Sequence, residues 1–297
     1  MPLPIAYYSG ARPAGAPIGD ADGVMPPITD RGESIVKVAV SGAAGAMGRR
    51  VIALLAETHG CELVAALERP GHPDLGRDAG VLAGMEALGV QLSAGLSGKP
   101  DVLIDFSAPE GATARARDCA ERGVAVVIGT TGLSAEQLTE IRERVATKVP
   151  VLVAPNMSIG VNLLFRLAED VARALGEGYD VEIVEAHHRR KKDAPSGTAM
   201  ELARRVCRAL GKDPQASLCY GRQGLVGPRK AGEVGVHAVR GGDIVGEHTV
   251  TFAGDGECVE LVHKAGSRDV FARGAIRAAM FLVGKAPGVY SMQDVLR

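Results

Sequence analysis

The segment Glu185-Ala186-His187-His188-Arg189-Arg190-Lys191-Lys192-Asp193-Ala194-Pro195-Ser196-Gly197-Thr198 gathers groups able to move protons beside groups able to hold anions. Histidine suits proton transfer near neutral pH because its ordinary pKa of about 6.5 lies close to working conditions. Adjacent histidines on an extended segment point to opposite sides, so His187 and His188 need not share a role. Ser196-Gly197-Thr198 opens a pattern with apolar residues at Ala199, Leu202, Ala203, Val206 and Leu210, the spacing of one helix face. A helix start presents free N–H groups and a positive dipole end. With Lys and Arg beside it, a small carboxylate-bearing substrate fits better than a neutral one. A basic run alone is more often a solvated loop; its place between a strand and a helix start favours chemistry here.

A second constellation lies near the front of the chain. Gly42, Gly45 and Gly48 form G-x-x-G-x-x-G, with Ala44 where the more familiar dinucleotide turn carries its second glycine. The turn follows the β-branched run Ile35 to Val40 and precedes a helical pattern at Met47, Val51, Leu54 and Leu55. Glu68 lies 20 positions beyond Gly48, at the end of the next strand, where a carboxylate can accept from ribose hydroxyls. Arg69 beside it can instead receive a 2'-phosphate, so the pair suits NADH or NADPH.

The elements that must position these groups alternate. Strands at Glu62 to Leu67, Val102 to Phe106, Val124 to Gly129 and Pro150 to Ala154 are near-continuous apolar runs, separated by helical stretches at Gly111 to Arg122 and Ser134 to Ala146. This is the pattern of an α/β, Rossmann-like, doubly wound parallel sheet. After Asn156 it changes to a helix (Val161 to Leu175), a strand (Asp180 to Ala186), the basic loop and another helix. Strands joined by Gly241-Gly242 and Asp255-Gly256 turns follow; these hairpin signals predict an α+β domain with a mixed open sheet. A final helix, Val270 to Val283, has the periodicity to pack back on the first domain. The expected division is a disordered extension over 1–34, a dinucleotide-binding domain from 35–156 and 268–297, and a substrate-binding and oligomerisation domain over 157–267.

Composition narrows the partners. With 34 basic and 35 acidic residues there is no global field for nucleic acid or an anionic membrane, and 3% aromatics with no Trp leave little for base stacking. Five scattered cysteines never fall in C-x-x-C spacing, so neither a metal site nor a disulfide framework is indicated, and a reducing cytoplasm fits. No apolar run approaches the ~20 residues that span a bilayer. Residues 1–34 are rich in Pro, Gly and Ala, hold four acidic residues and lack a charged-then-apolar leader, with Met25 a candidate later start.

Seven stretches stand out: Val40 to Arg49, Asp105-Phe106-Ser107-Ala108-Pro109-Glu110, Gly129-Thr130-Thr131-Gly132, Ala154-Pro155-Asn156-Met157-Ser158, Glu185 to Thr198, Arg240 to His248 and His263 to Arg268. Together they resemble the 4-hydroxy-tetrahydrodipicolinate reductase (dihydrodipicolinate reductase) family of lysine and diaminopimelate biosynthesis. The resemblance covers the chain from Val36 onward. It implies that Gly42, Ala43, Ala44, Gly45, Ala46 and Met47 hold a pyrophosphate and that Glu68 and Arg69 lie at the adenosine ribose. It places Gly129, Thr130 and Thr131 with Ala154, Pro155, Asn156 and Met157 on the nicotinamide side. His187 then gives or takes a proton, Lys191 donates one, and His188, Ser196, Gly197 and Thr198 bind substrate carboxylate. A homotetramer built through the second sheet is also implied. Ala46 stands where some relatives carry a basic residue that favours NADPH.

Overall fold

The computed structural model describes residues 35–297; the extension expected over 1–34 lies outside the described residues. Strands and helices are numbered along the chain. The first sheet holds seven parallel strands. These are β1 (Val36–Ser41), β2 (Cys61–Leu67), β3 (Leu92–Ser93), β4 (Val102–Asp105), β5 (Ala125–Ile128), β6 (Pro150–Val153) and the late-arriving β12 (Gly288–Tyr290). Their order is β12-β6-β5-β4-β1-β2-β3. The order reverses between β1 and β4, the place where open α/β sheets hold ligands beyond the carboxyl ends of their strands.

Side chains alternate across this sheet as its pleat requires. Val38, Val40, Val102, Ile104 and Val127 face α1 (Ala46–Ala56) and α8 (Asp269–Leu282). Ala39, Leu103, Val126 and Ile128 face α3 (Pro109–Arg122) and a turn of π-helix, Ile141–Val145. Burial on both sides accounts for the unbroken apolar runs. Local signals set the helix ends: Pro109 opens α3, and Gly123, at φ 71°, closes it in the left-handed region. A capping box between Ser134 and Gln137 starts α4 (Ala135–Glu140). The helix expected from Ser134 to Ala146 therefore stops early and passes into the π turn.

The second sheet has the order β11-β10-β7-β9-β8. Its strands are β7 (Asp180–His187), β8 (Leu218–Tyr220), β9 (Val234–Arg240), β10 (Gly246–Gly254) and β11 (Glu257–Ala265). Two helices, α5 (Ile159–Leu175) and α6 (Gly197–Ala209), cover one face, burying Val181, Ile183, Val236, Val250 and Phe252. The other face is open. Along it Val184, Thr249 and Val262 stand in register, and Val184, Val239 and Val262 are exposed.

One hairpin expectation is corrected. Asp255-Gly256 does join the paired strands β10 and β11, but Gly241-Gly242 closes no hairpin. β9 and β10 flank β7, with β9 parallel to it and β10 antiparallel. The Gly241-Gly242 loop crosses the end of β7 instead. Gly241 N–H donates to the His187 carbonyl (3.0 Å), and Arg189 N–H donates to the Gly242 carbonyl (3.2 Å).

Short elements complete the chain: α2 (Ala79–Leu82), α7 (Pro214–Ser217) and α9 (Met292–Val295). Among the described residues, no helix is long and apolar enough to cross a membrane.

Candidate active site

At the carboxyl end of β1 the chain turns at Gly42 with φ 72°, and a Cβ there would fall on the Phe106 carbonyl at the end of β4. Gly48, on α1, packs as closely on the Gly42 carbonyl. These two glycines let the turn, the helix and β4 approach one another. Gly45 has a different part. It is the exposed N-cap of α1, and no side chain caps the helix, so the first-turn N–H groups remain open at the crest of the turn. That is the geometry of a phosphate cradle. Ala43 is buried beneath it and donates its N–H to the Leu67 carbonyl (3.1 Å).

Glu68 leans back onto the same turn. Its carboxylate accepts from Ala44 N–H (3.2 Å) and from Arg69 N–H (3.1 Å), while Arg69 itself is exposed. Carboxylate and glycine turn thus share one rim, as a dinucleotide with an adenosine ribose requires. Behind the rim, the buried Asp105 accepts from Ser107 N–H (3.1 Å), Ser107 Oγ (2.9 Å) and Thr130 Oγ1 (2.5 Å). This ties the loops after β4 and β5. Gly129 is required there, since a Cβ would strike the Phe106 ring. Thr131 is exposed on the same side.

After β6 the chain crosses to the second sheet through Ala154-Pro155-Asn156-Met157-Ser158. Met157 differs from its neighbours: its side chain lies in the core, and its carbonyl packs where a Cβ on Gly274 of α8 would sit. Asn156 Oδ1 accepts from Ser158 N–H (2.9 Å), and Ser158 Oγ caps α5 through Val161 N–H (3.3 Å). Asn156 Nδ2 reaches across to donate to Thr198 Oγ1 (3.1 Å). The expected nicotinamide and substrate sides are therefore in contact.

On the expected substrate side, Ser196 caps α6 by accepting from Ala199 N–H (3.1 Å), and its hydroxyl lies 3.3 Å from His248 Nε2. Gly197 is exposed, and a Cβ built on it would meet nothing within 4 Å. His187 closes β7, its ring 5.3 Å from that of His248 in an edge contact. His187 Nδ1 lies 2.6 Å from Glu185 Oε2. Glu185 is fully buried and also meets Arg240 through Nη1 (2.8 Å) and Nη2 (2.7 Å). Lys191 pairs with Asp193 at 2.9 Å, so a carboxylate already holds this expected proton donor. Arg189, Arg190 and Lys192 are exposed.

The electrostatics follow burial. Burial pushes His187 below its usual range, and the Glu185 carboxylate only partly opposes that. His248, almost fully enclosed, is pushed down to about 3 by burial and then by the nearby His187. For Glu185 burial acts upward, yet the hydrogen bonds from Arg240, His187 and the Ser196 amide outweigh it and keep the group ionised. Four buried nitrogens have no hydrogen-bond partner among the described residues: His188 Nδ1, Arg240 Nε, His248 Nδ1 and His263 Nδ1. His188 lies in the basic loop, Arg240 on β9, His248 on β10 and His263 on β11.

The sequence reading missed Glu185, Arg240 and His248 as members of the cluster. A signal was present: Val181, Ile183 and Glu185 alternate inward on β7, and a carboxylate in an apolar alternation needs a buried partner.

A parallel sheet with a glycine-turn cradle at its order reversal, coupled to a second sheet carrying a buried His–Glu–Arg cluster, defines a two-domain nicotinamide-dependent oxidoreductase. Family models described as "Dihydrodipicolinate reductase, N-terminus" and "Dihydrodipicolinate reductase, C-terminus" match residues 36–157 and 160–296. The chain belongs to the dihydrodipicolinate reductase family. It is 52% identical over 265 residues to the 4-hydroxy-tetrahydrodipicolinate reductase of Citrifermentans bemidjiense, covering 88% of this chain and 99% of that one. The Anaeromyxobacter sp. (strain Fw109-5) enzyme of that name is 51% identical, covering 88% and 98%. Among solved structures, the dipicolinate-bound dihydrodipicolinate reductase of Paenisporosarcina sp. TG-14 superimposes with a TM-score of 0.71 at 25% identity, covering 89% of this chain and 100% of that one.

Proposed function

We propose that this chain reduces 4-hydroxy-tetrahydrodipicolinate to tetrahydrodipicolinate, with loss of water, at the expense of NADH or NADPH. The observation that carries the reading is the Asn156 to Thr198 hydrogen bond, which brings the nicotinamide-side loop against the open start of α6. Residues 35–156 with 268–297 serve as the dinucleotide-binding domain, and 157–267 as the substrate-binding and oligomerisation domain. Support comes from β12 and α8, which join the first sheet although they follow the second in sequence.

Gly42, Ala43, Ala44, Gly45, Ala46 and Met47 cradle the pyrophosphate at the uncapped start of α1, and Glu68 and Arg69 flank the adenosine ribose. Gly129, Thr130 and Thr131 with Ala154, Pro155, Asn156 and Met157 border the nicotinamide, Met157 through its backbone. When bound, the reduced nicotinamide supplies the hydride. The chain's own groups position a dicarboxylate and manage one proton. Ser196, Gly197 and Thr198 at the start of α6 hold a carboxylate together with His188. The bareness of Gly197 supports this, because nothing in the fold itself demands glycine there. His187 or Lys191 delivers the proton to the ring carbon next to the one that accepts hydride. The same reading assigns a homotetramer, built through the open face that carries Val184, Val239 and Val262.

The test is loss of NAD(P)H absorbance on adding freshly generated product of the upstream synthase. His187→Ala and Lys191→Ala should each lower kcat by roughly 100-fold if the two groups act as general acids. Turnover unchanged in both variants would remove the assignment. Tight cofactor binding without turnover in the unaltered chain would point to a nucleotide sensor instead.

A further inference from the structure

Glu185 is the most connected side chain near the proposed reaction centre. A fully buried carboxylate would ordinarily take up a proton unless several donors hold its charge. Glu185 has four: Arg240 Nη1 and Nη2 in a two-pronged grip, the Ser196 amide at 2.9 Å, and His187 Nδ1. An ionised carboxylate only accepts, so the hydrogen on the His187 ring must sit on Nδ1. In the neutral ring Nε2 then carries the lone pair, and the proton His187 can deliver is the one that the imidazolium holds on Nε2. A Cβ on Gly246 would lie only 3.1 Å from that nitrogen, so a glycine is what leaves it uncovered.

We propose that Glu185 is a positioning residue: held by Arg240, its carboxylate fixes the His187 ring with Nε2 as the working nitrogen and, through the Ser196 amide, holds the substrate-binding start of α6 in step with it. The inference rests on the proposed role of His187. It adds that one buried carboxylate sets the geometry of the proton-transferring ring and of the anion site together. Arg240 extends the same frame, since its Nη2 also donates to the Asp193 carbonyl (2.7 Å) within the basic loop. The Gly241 amide on the His187 carbonyl fixes the backbone of the same residue. The charged and titratable groups that face His187 are Glu185 on its own strand, Lys191 in the loop, Arg240 on β9 and His248 on β10. Of these, only Glu185 favours the imidazolium.

The decisive measurement is nitrogen-15 NMR of the His187 ring across pH, in the unaltered chain and in Glu185→Gln. The Nδ1–H form should dominate the neutral ring of the unaltered chain; a dominant Nε2–H form overturns the proposal without any variant. In Glu185→Gln the neutral ring should lose that preference, and the imidazolium should form only at lower pH. The His187-dependent limb of the kcat profile should move the same way, and kcat should fall roughly 10-fold or more, as expected when a general acid is misaligned. A merely structural Glu185 would lower Tm and leave tautomer and pH limb in place, which also overturns the idea. The two readings fail separately. Wild-type kcat in His187→Ala removes the catalytic reading and leaves the NMR result standing. Loss of kcat in His187→Ala, with kcat and tautomer intact in Glu185→Gln, removes only the positioning role.

Discussion

Asn156 Nδ2 donates to Thr198 Oγ1 at 3.1 Å, and this hydrogen bond joins the exit of the first sheet to the first turn of the helix that covers the second. It places the groups proposed for cofactor and substrate within one hydrogen bond of each other. Neutral, partly buried bonds of this kind are worth about 0.5–1.5 kcal/mol net.

A double-mutant cycle of Asn156→Ala and Thr198→Val should therefore give a coupling energy of roughly that size in urea unfolding. Strict additivity would show that the two sheets are not coupled through this pair.

The glycine turn separates folding from binding. Gly42→Ala should lower stability by about 1–3 kcal/mol, because it combines positive φ with a clash on the Phe106 carbonyl. Gly45→Ala adds a methyl on the exposed side of the turn, 3.1 Å from the Gly42 carbonyl oxygen, and should fold almost normally. Its cost should appear as about tenfold or weaker NADH binding, near 1.4 kcal/mol, read from nicotinamide fluorescence. Equal binding by Gly45→Ala and the unaltered chain would rule out the cradle.

Acid should weaken the fold before its carboxylates titrate. The folded His248 is pushed down to about 3, from an ordinary value of 6.5, so the unfolded chain binds its proton first. Stability from this group is complete above pH 6.5 and declines as pH falls through the window between those values, by up to about 1.4 kcal/mol per pH unit. His187 and His263 are shifted in the same direction. Urea midpoints should thus fall between pH 6.5 and 5, and His248→Phe should show a shallower slope there. An identical slope in that variant would contradict the assignment.

The open face of the second sheet should be an interface. Val184→Glu combined with Val262→Glu adds two carboxylates flanking Thr249, in one row of that face. Sedimentation velocity should show the expected tetramer replaced by smaller species, and an unchanged sedimentation coefficient would locate the assembly elsewhere.

Much of this architecture was legible in the sequence because burial leaves a periodic record. Val38 to Val40, Val102 to Ile104 and Ala125 to Ile128 are apolar on both faces since helices cover both, and Ser196 announces a helix start at short range. Other features leave no such record. β3, β8 and β12 are two or three residues long and exist through the neighbour they pair with. Gly241-Gly242 looks like a hairpin tip locally, yet β7 lies between the strands it joins, and strand order is a property of the whole sheet. In the site, His187, His188 and the helix start were candidates from the sequence itself. The link from Glu185 to Arg240 could not be read there, because it spans 55 positions and depends on β7 and β9 being neighbours.

The return of α8 and β12 to the first sheet has a consequence for synthesis. Ala275, Ala278, Ala279 and Leu282 of α8 cover one side of that sheet, and β12 extends its edge beyond β6. Both leave the ribosome after the whole second sheet. Until they arrive, Val102, Ile104 and Val127 lack their cover, and the edge of β6 is unpaired. A stalled nascent chain would thus expose an apolar sheet face and a free strand edge, the two features that most promote misassociation. Because of the late helix and strand, the first sheet cannot be completed until the whole second sheet has been synthesised.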